Sequence, residues 1–299
     1  PGNAVAAAAL TFTGAFVAVG ASVVAPGVRE QVVAAVVATV AATGAGNAVN
    51  DYFDRDIDRT NRPDRPIPRG AVSPRWALAE SVVLFGVAVV AALALPVLAL
   101  AIAVVNLVAL LAYTELFKGL PGVGNVVVAY LTGSTFLFGG AAVGAPLDAA
   151  VLAVLAGVAT LTREIVKDVE DVSGDREEGL RTLPIVLGER RALGIGLAAM
   201  VVAVVASVVP FAVGTFGPAY LVVVLPADAL MLHATVRSFD DPSTGQRRLK
   251  LGMFLAALAF VLGRLTVVVG TGWFPPFPTV TGTIIKKNIT GSPLFPLVR

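Results

Sequence analysis

The sequence predicts an all-α, polytopic membrane protein, and this prediction rests on three observations. Of the 299 residues, 57% are hydrophobic and only 14% are charged, whereas the apolar share of soluble domains is about 45–50%. The apolar residues form repeated runs near the ~20 residues that a helix needs to cross a bilayer. Lys and Arg are concentrated in alternate loops between these runs. We therefore expect a multi-pass protein of the cell membrane.

Nine transmembrane helices are expected from the apolar runs and from the Gly, Pro and charged residues that separate them. Their approximate ranges are 4–25, 28–53, 74–95, 97–115, 122–144, 147–172, 189–213, 217–238 and 248–271. Within the fifth range, Gly139 and Gly140 are expected to be close-packing positions, since small residues let membrane helices approach each other. Residues 1–271 are thus one membrane domain, and the Pro-rich residues 272–299 form a tail of unknown role.

The distribution of Lys and Arg predicts the orientation of the chain. With nine crossings, seventeen of the 22 Lys and Arg residues fall on one side of the membrane and five on the other. An excess of this kind marks the cytoplasmic face. The second and sixth spans run in the same direction because four crossings separate them. Their carboxyl ends, near residues 53 and 172, are therefore both expected at the cytoplasmic face.

The composition also limits the chemistry. The absence of cysteine excludes disulfides and thiolate chemistry. A single histidine, His233, argues against a His-rich zinc or iron site. The formal net charge is only +2, and the arginines lie in short loops, so no nucleic-acid partner is expected. Any metal ion would have to be held by oxygen ligands.

Aspartate is scarce, yet seven of its twelve occurrences fall in two segments of eight residues. Each segment contains the pattern D-x-x-D-x-x-x-D, formed by Asp51, Asp54 and Asp58 in the first motif and by Asp168, Asp171 and Asp175 in the second motif. These spacings place the three carboxylates on one face of a helix. Each trio is therefore expected to form an acidic stripe at the end of its span. Asn47 and Asn50 extend the first stripe.

Such stripes favour bound cations. Clustered carboxylates repel one another, and they are costly to desolvate at a membrane helix end unless cations neutralise them. Mg²⁺ suits the donors, because it binds through a few carboxylates together with substrate phosphate oxygens. The alternative is that the acids only solvate loop ends beside the many arginines. Two motifs with matching spacing favour a diphosphate that is bridged to both of them by Mg²⁺.

Basic and aromatic residues near the motifs could complete an anion site. Arg62 and Arg65 follow the first motif in a loop that prolines stiffen, and they offer fork-shaped donors to phosphate. Lys118 lies in the next loop on the same side, with Tyr113 nearby, and Lys167 directly precedes the second motif. Any single arginine is equally well explained as a topology signal. Asn125, in the fifth span, is a weaker candidate.

Three segments resemble the UbiA family of membrane prenyltransferases. They are Asn50-Asp-Tyr-Phe-Asp-Arg-Asp-Ile-Asp58, residues 61–68, and Lys167-Asp-Val-Glu-Asp-Val-Ser-Gly-Asp175. The resemblance implies a ring of nine helices around a central cavity, a cap of cytoplasmic loops, and Mg²⁺ between the two motifs. The metal-binding residues that it implies are Asn50, Asp51, Asp54, Asp58, Asp168, Asp171 and Asp175, of which Asp54, Asp58, Asp171 and Asp175 would be catalytic. Substrate would contact Asn47, Arg62, Arg65, Tyr113, Lys118 and Lys167.

The resemblance also implies an activity. It is Mg²⁺-dependent transfer of a prenyl group, expected to be geranylgeranyl, from its diphosphate to a lipid-like acceptor. The second motif and the following Thr182-Leu-Pro-Ile185 are most similar to archaeal members of ether-lipid synthesis, which implies geranylgeranylglyceryl phosphate as the acceptor. Stabilisation of the leaving diphosphate would be the main catalytic effect. An apolar cavity would keep water away from the allylic cation.

Two alternatives stay open. One is an aromatic acceptor, as in quinone or chlorophyll synthesis. The other is an ion-coupled transporter, because intramembrane acids often mark ion pathways. Against transport, the predicted acids lie at helix ends rather than near the midplane, and no pair of broken helices is evident. The sequence makes no prediction of the oligomeric state.

Overall fold

The computed structural model describes residues 2–117 and 120–268, and every regular element in these ranges is helical. Lys118 and the tail at 272–299 lie outside the described residues. The helices are α1 (Gly2–Val19), α2 (Val28–Phe53), α3 (Arg55–Asn61), α4 (Pro74–Leu93), α5 (Val97–Ala112), α6 (Val123–Ala142), α7 (Pro146–Glu170), α8 (Val172–Glu177), α9 (Leu183–Leu187), α10 (Glu189–Ala206), α11 (Val209–Ala212), α12 (Pro218–Arg237) and α13 (Pro242–Val268). A 3₁₀ helix (Gly20–Val24) follows α1, and a π-helical turn (Tyr113–Phe117) follows α5.

Eight helices in the described part of the chain are long and apolar enough to cross a membrane. They include α1 with its 3₁₀ extension and α10 with α11, which are spans of 23 and 24 residues. The fourth predicted span corresponds to α5, whose 16 residues reach about 24 Å, less than the ~30 Å of a hydrocarbon core. The prediction of an all-α, polytopic membrane protein is confirmed, and the count of nine spans stays a prediction.

The bounds of the seventh predicted span are confirmed, and the start of the last one is wrong. The seventh span, 189–213, matches the apolar span Glu189–Ala212. Within it α10 ends at Ala206 and α11 begins at Val209, because Pro210 lacks an N–H and its ring clashes with the preceding turn. The last span was expected from residue 248, but α13 begins at Pro242. There the Asp241 carboxylate accepts a hydrogen bond from the Thr244 backbone N–H at 3.0 Å, which caps the helix.

Glycines allow α6 to pack directly against its neighbours. A Cβ atom on Gly14 of α1 would lie 2.1 Å from the Phe136 carbonyl oxygen, and one on Gly139 of α6 would lie 2.0 Å from the Thr11 carbonyl oxygen. On the other side of α6, a Cβ atom on Gly140 would come within 2.6 Å of a side chain of α7. The close packing expected at Gly139 and Gly140 is therefore confirmed. α6 is fixed against both α1 and α7.

Replacing Gly139 with alanine is expected to lower the melting temperature of the purified protein substantially. The added methyl group meets backbone rather than a flexible side chain, so α1 and α6 must separate, and overpacking of this kind costs about 1–3 kcal/mol or more. Gly194→Ala on α10 is the matched control, since a Cβ atom there meets nothing within 4 Å. The control should melt at or above the wild-type temperature. Equal melting of the two variants would contradict this packing.

The long helices surround a central cavity of about 740 Å³. The ring is closed by contact between α13 and α1, and its other neighbouring pairs include α2 with α4, α5 with α6, and α7 with α10. Most of the wall is apolar, and Leu10, Phe136 and Phe260 are among its residues. The rings of Phe136 and Phe260 pack edge to face with their centroids 6.0 Å apart. A cavity of this size and character suits a long hydrocarbon chain.

Candidate active site

Both acidic motifs lie where a long helix ends and a short one begins. Asp54 is the junction of α2 and α3, with φ −81° and ψ 1°, and Asp171 is the junction of α7 and α8, with φ −89° and ψ 1°. The acidic stripe predicted for each motif therefore contains a helix junction at its middle aspartate, although the Asp54 backbone N–H still donates to the Asn50 carbonyl oxygen at 2.8 Å and that of Asp171 to the Lys167 carbonyl oxygen at 2.9 Å. Aspartate favours such breaks because its side chain competes for backbone hydrogen bonds. The identical break gives the two motifs the same local geometry.

Tyr113 lies near charged residues of both motifs. Its partly buried phenol interacts electrostatically with Asp54 on one side and with Glu164, Lys167 and Asp168 on the other. The phenol lies in the π-helical turn that continues α5. Both motifs therefore lie at one end of the helix ring, here called the acidic end.

In the first motif, one arginine neutralises two aspartates. The Arg65 guanidinium donates to the carboxylates of Asp51 at 2.5 Å and Asp58 at 3.2 Å. The Asp58 side chain is 8% exposed, so Arg65 is its cationic partner in a largely buried setting. Arg62 is exposed at the surface. Of the two arginines predicted to bind substrate, Arg65 contacts the motif carboxylates with its side chain, and Arg62 donates its backbone N–H to the Asp58 carbonyl oxygen at 2.9 Å.

In the second motif, each aspartate has a different environment. The Lys167 ammonium lies 3.0 Å from the Asp171 carboxylate. The Asn125 amide of α6 donates to the Asp168 carboxylate at 2.8 Å. Burial raises the pKa of Asp175, and the neighbouring Asp171 carboxylate raises it further. A carboxyl group whose charged form is disfavoured in this way gains from a nearby cation.

The donor set fits Mg²⁺ that is shared with a phosphate-bearing substrate. Among the described residues, no three His, Cys, Asp or Glu side chains converge closely enough to hold a metal ion by themselves. Mg²⁺ does not need such a cage, since it commonly takes one or two carboxylates and completes its shell with waters and phosphate oxygens. Asp54 and Asp171 lie at the carboxyl ends of α2 and α7, where the helix dipole adds negative potential. Both the donors and their surroundings thus favour a hard divalent cation.

The cavity wall becomes polar at the acidic end. Its polar residues there, called the polar rim, are Asn3, Asn47, Asn50, Arg163, Glu164 and Lys250. Two of them, Asn47 and Asn50, were predicted to be in the site. Sequence reasoning did not single out Arg163, Glu164 or Lys250. A signal was available for Arg163, which precedes Lys167 and Asp171 at intervals of four residues on the same helix face.

A second polar group lies deeper in the cavity wall. The buried Asp228 carboxylate of α12 accepts a hydrogen bond from the Ser207 hydroxyl at 2.6 Å. The Tyr220 hydroxyl donates to the Ser207 carbonyl oxygen at 2.7 Å. Ser207 directly follows the last residue of α10, so its carbonyl lacks a helical partner. Sequence reasoning missed Asp228 because it is isolated in the chain.

The chain matches a known protein family and is similar to several known proteins. The model of the UbiA prenyltransferase family matches residues 7–258. A digeranylgeranylglyceryl phosphate synthase of Natronomonas pharaonis is 66% identical over 269 residues, which cover 90% of this chain and 95% of that protein. A solved structure of digeranylgeranylglyceryl phosphate synthase has a TM-score of 0.77 at 31% identity, with 89% of this chain and 95% of that one covered. A UbiA homologue from Archaeoglobus fulgidus, bound to GPP and Mg²⁺, shares the fold with a TM-score of 0.61 at 18% identity, with 89% and 98% covered.

Proposed function

Because this chain belongs to the UbiA prenyltransferase family, we propose that it transfers a geranylgeranyl group from geranylgeranyl diphosphate to the free hydroxyl of geranylgeranylglyceryl phosphate. The observation that supports the proposal is that Asn50 of the first motif and Glu164, four residues before the second motif, line the same long apolar cavity. The acidic end suits a diphosphate, and the cavity suits the prenyl chain. The name of the 66% identical relative supports the lipid acceptor.

Mg²⁺ would be held by both motifs through Asn50, Asp54, Asp58, Asp171 and Asp175, with Asp51 and Asp168 in support. When bound, it supplies positive charge to the leaving diphosphate. Arg65 and Lys167 are in position to act with it. Their present carboxylate contacts are partly exposed and therefore weak enough to be exchanged for phosphate oxygens. Arg62, Tyr113 and Lys118 are proposed to contact the diphosphate as well.

The reaction needs no strong base. The bond between C1 of the prenyl chain and the diphosphate oxygen breaks, and its electron pair leaves with the diphosphate. The acceptor hydroxyl oxygen then bonds to C1, and its proton passes to a motif carboxylate or to the released diphosphate. The apolar wall around Leu10, Phe136 and Phe260 keeps water from the cation. The Asn47 and Asn50 amides lie on the polar rim, where the reacting carbon would be.

We also propose that the acidic end faces the cytoplasm. The excess of Lys and Arg on that side supports this orientation.

The test is a purified-enzyme assay with geranylgeranyl diphosphate and a choice of acceptors. Product is expected with geranylgeranylglyceryl phosphate, and EDTA should abolish it until Mg²⁺ is restored, because the carboxylates alone repel the diphosphate. An aromatic acid supplied as the acceptor should give no product. Prenylation of the aromatic acid alone would overturn the proposed acceptor. Substrate flux across sealed vesicles without product would favour a transporter.

A further inference from the structure

Two cationic side chains of the polar rim have no place in the mechanism so far. They are Arg163 on α7 and Lys250 on α13, and both line the central cavity. Among the residues that α13 contributes to the cavity wall, Lys250 is nearest the acidic end. On α7, Arg163 is second only to Glu164 in this respect. On α13 that face continues with Met253, Phe254 and Ala257.

Lys250 and Arg163 lie at the same level of an antiparallel helix pair. The Ser243 hydroxyl, at the start of α13, donates to the Glu170 carboxylate, at the end of α7, at 2.5 Å. Seven residues along α13 from Ser243 lead to Lys250, and seven residues back along α7 from Glu170 lead to Arg163. Leu249 of α13 and Val166 of α7, which lie in these two stretches, belong to one buried cluster.

The charges at this level of the rim leave a net positive site. The Arg163 guanidinium uses one N–H on the Glu164 carboxylate at 2.5 Å, and four of its five donors remain. Lys250 has no ion pair among the described residues, and its side chain is exposed. Arg163 and Lys250 thus line the cavity at this level with Glu164, and the other carboxylate of the lining, Asp228, accepts a hydrogen bond from Ser207 deeper in the wall. Cations at the edge of an apolar cavity are stabilised by a bound anion.

The donor diphosphate does not account for these cations. Of the α7 groups proposed for the diphosphate site, Lys167 lies deepest, and Arg163 lies four residues, or about 6 Å along the axis, deeper still. The α13 side chains lean toward the acidic end, because side chains tilt toward the amino end of their helix. The Lys250 ammonium therefore lies between the apolar wall and the motifs. A phosphate there would lie close to, but apart from, the diphosphate.

We infer that Lys250, together with Arg163, binds the phosphate group of the acceptor lipid and so selects a phosphorylated acceptor. This inference rests on the proposed function. A glycerol phosphate carries its phosphate and its free hydroxyl only a few atoms apart, so a phosphate held at the rim brings the hydroxyl to the reacting carbon. The exposed Phe254 one turn deeper on α13 also lines the cavity and offers apolar surface to the lipid chain. An acceptor without an anionic group would leave the Lys250 ammonium without an anionic partner.

The test measures steady-state kinetics of Lys250→Met and Lys250→Arg. A charge-assisted hydrogen bond is lost in Lys250→Met, so the KM for geranylgeranylglyceryl phosphate should rise about 10-fold or more. The KM for geranylgeranyl diphosphate should stay within about twofold, and Lys250→Arg should retain most of the acceptor affinity. Arg247→Met is the matched control, because Arg247 is an exposed cation on the same helix that does not line the cavity. It should behave like the wild type.

A second arm needs no variant. Wild-type enzyme should use geranylgeranylglycerol, which lacks the phosphate, about 10-fold or more less efficiently than the phosphorylated acceptor. Lys250→Met should show much less of this preference, since both changes remove the same interaction. Equal use of the two acceptors by the wild type overturns the inference, as does a rise in the KM for the diphosphate instead. Failure of the proposed function is distinct, because the wild type would then form no product from either lipid.

Discussion

Alanine at Asp54 or at Asp171 is expected to abolish product formation from geranylgeranyl diphosphate. Each residue is the junction of a long and a short helix, and each carboxylate lies at the negative end of a helix dipole. In the proposed mechanism, loss of either one removes a ligand that fixes Mg²⁺ against the leaving diphosphate, where charge develops in the transition state. A single preorganised group of this kind is worth about 10²–10³ in turnover, and loss of metal binding adds to it. The measurement is product formed at saturating Mg²⁺ and substrate.

Asp56→Ala is the matched control for these variants. Asp56 belongs to the same eight-residue segment, but its side chain is 64% exposed and pairs with Arg59 at 2.8 Å on the outer surface. Its removal should leave turnover near the wild-type value, because surface ion pairs contribute little. All three variants should melt near the wild-type temperature. Wild-type turnover by purified Asp54→Ala or Asp171→Ala would remove these residues from the site.

The membrane helices are largely predictable because a helix that crosses a bilayer needs about 20 mostly apolar residues. The second predicted span, 28–53, has the bounds of α2, since Pro26-Gly27 precedes it and the first motif ends it. Hydropathy does not register a missing backbone donor, so the break at Pro210 went unseen. Because the first residues of α13 include charged ones, hydropathy also placed the start of this helix too late in the chain. The pair Asp241-Pro242 is a helix-start signal that the sequence itself contains.

The site is predictable in its residue types and less so in its contacts. Spacing alone predicts that the aspartates of both motifs act together and that they bind a hard cation. It did not identify their partners, because those depend on tertiary packing. Arg65 reaches back 14 residues to Asp51, and Asn125 reaches Asp168 across 43 residues. The rim residue Lys250 was invisible for the same reason, since only the packing of α13 against α7 brings it to the cavity.

Asn125 is expected to be a positioning residue whose loss shifts the Mg²⁺ requirement. Its amide donates to the Asp168 carboxylate at 2.8 Å, and its side chain is buried. Asn125→Asp has almost the same shape but replaces that donor with a second acid, so the two carboxylates repel each other and the end of α7 loses its fixed orientation. Changes in groups that orient metal ligands cost about 10–100-fold in metal affinity or activity. Activity measured against Mg²⁺ concentration should therefore shift to higher concentration by about that factor.

Asn125→Leu separates electrostatics from hydrogen bonding, because it removes the donor without adding charge. It should impair the enzyme less than Asn125→Asp if repulsion dominates. Ser134→Ala on the same helix is the structural control, since it removes a buried hydrogen bond to Asn106 of α5, at 2.9 Å, that is remote from the motifs. It should reduce stability by about 1 kcal/mol with the wild-type Mg²⁺ requirement. An unchanged Mg²⁺ requirement in Asn125→Asp would show that Asp168 is oriented by other contacts and that its role in the metal motif is dispensable.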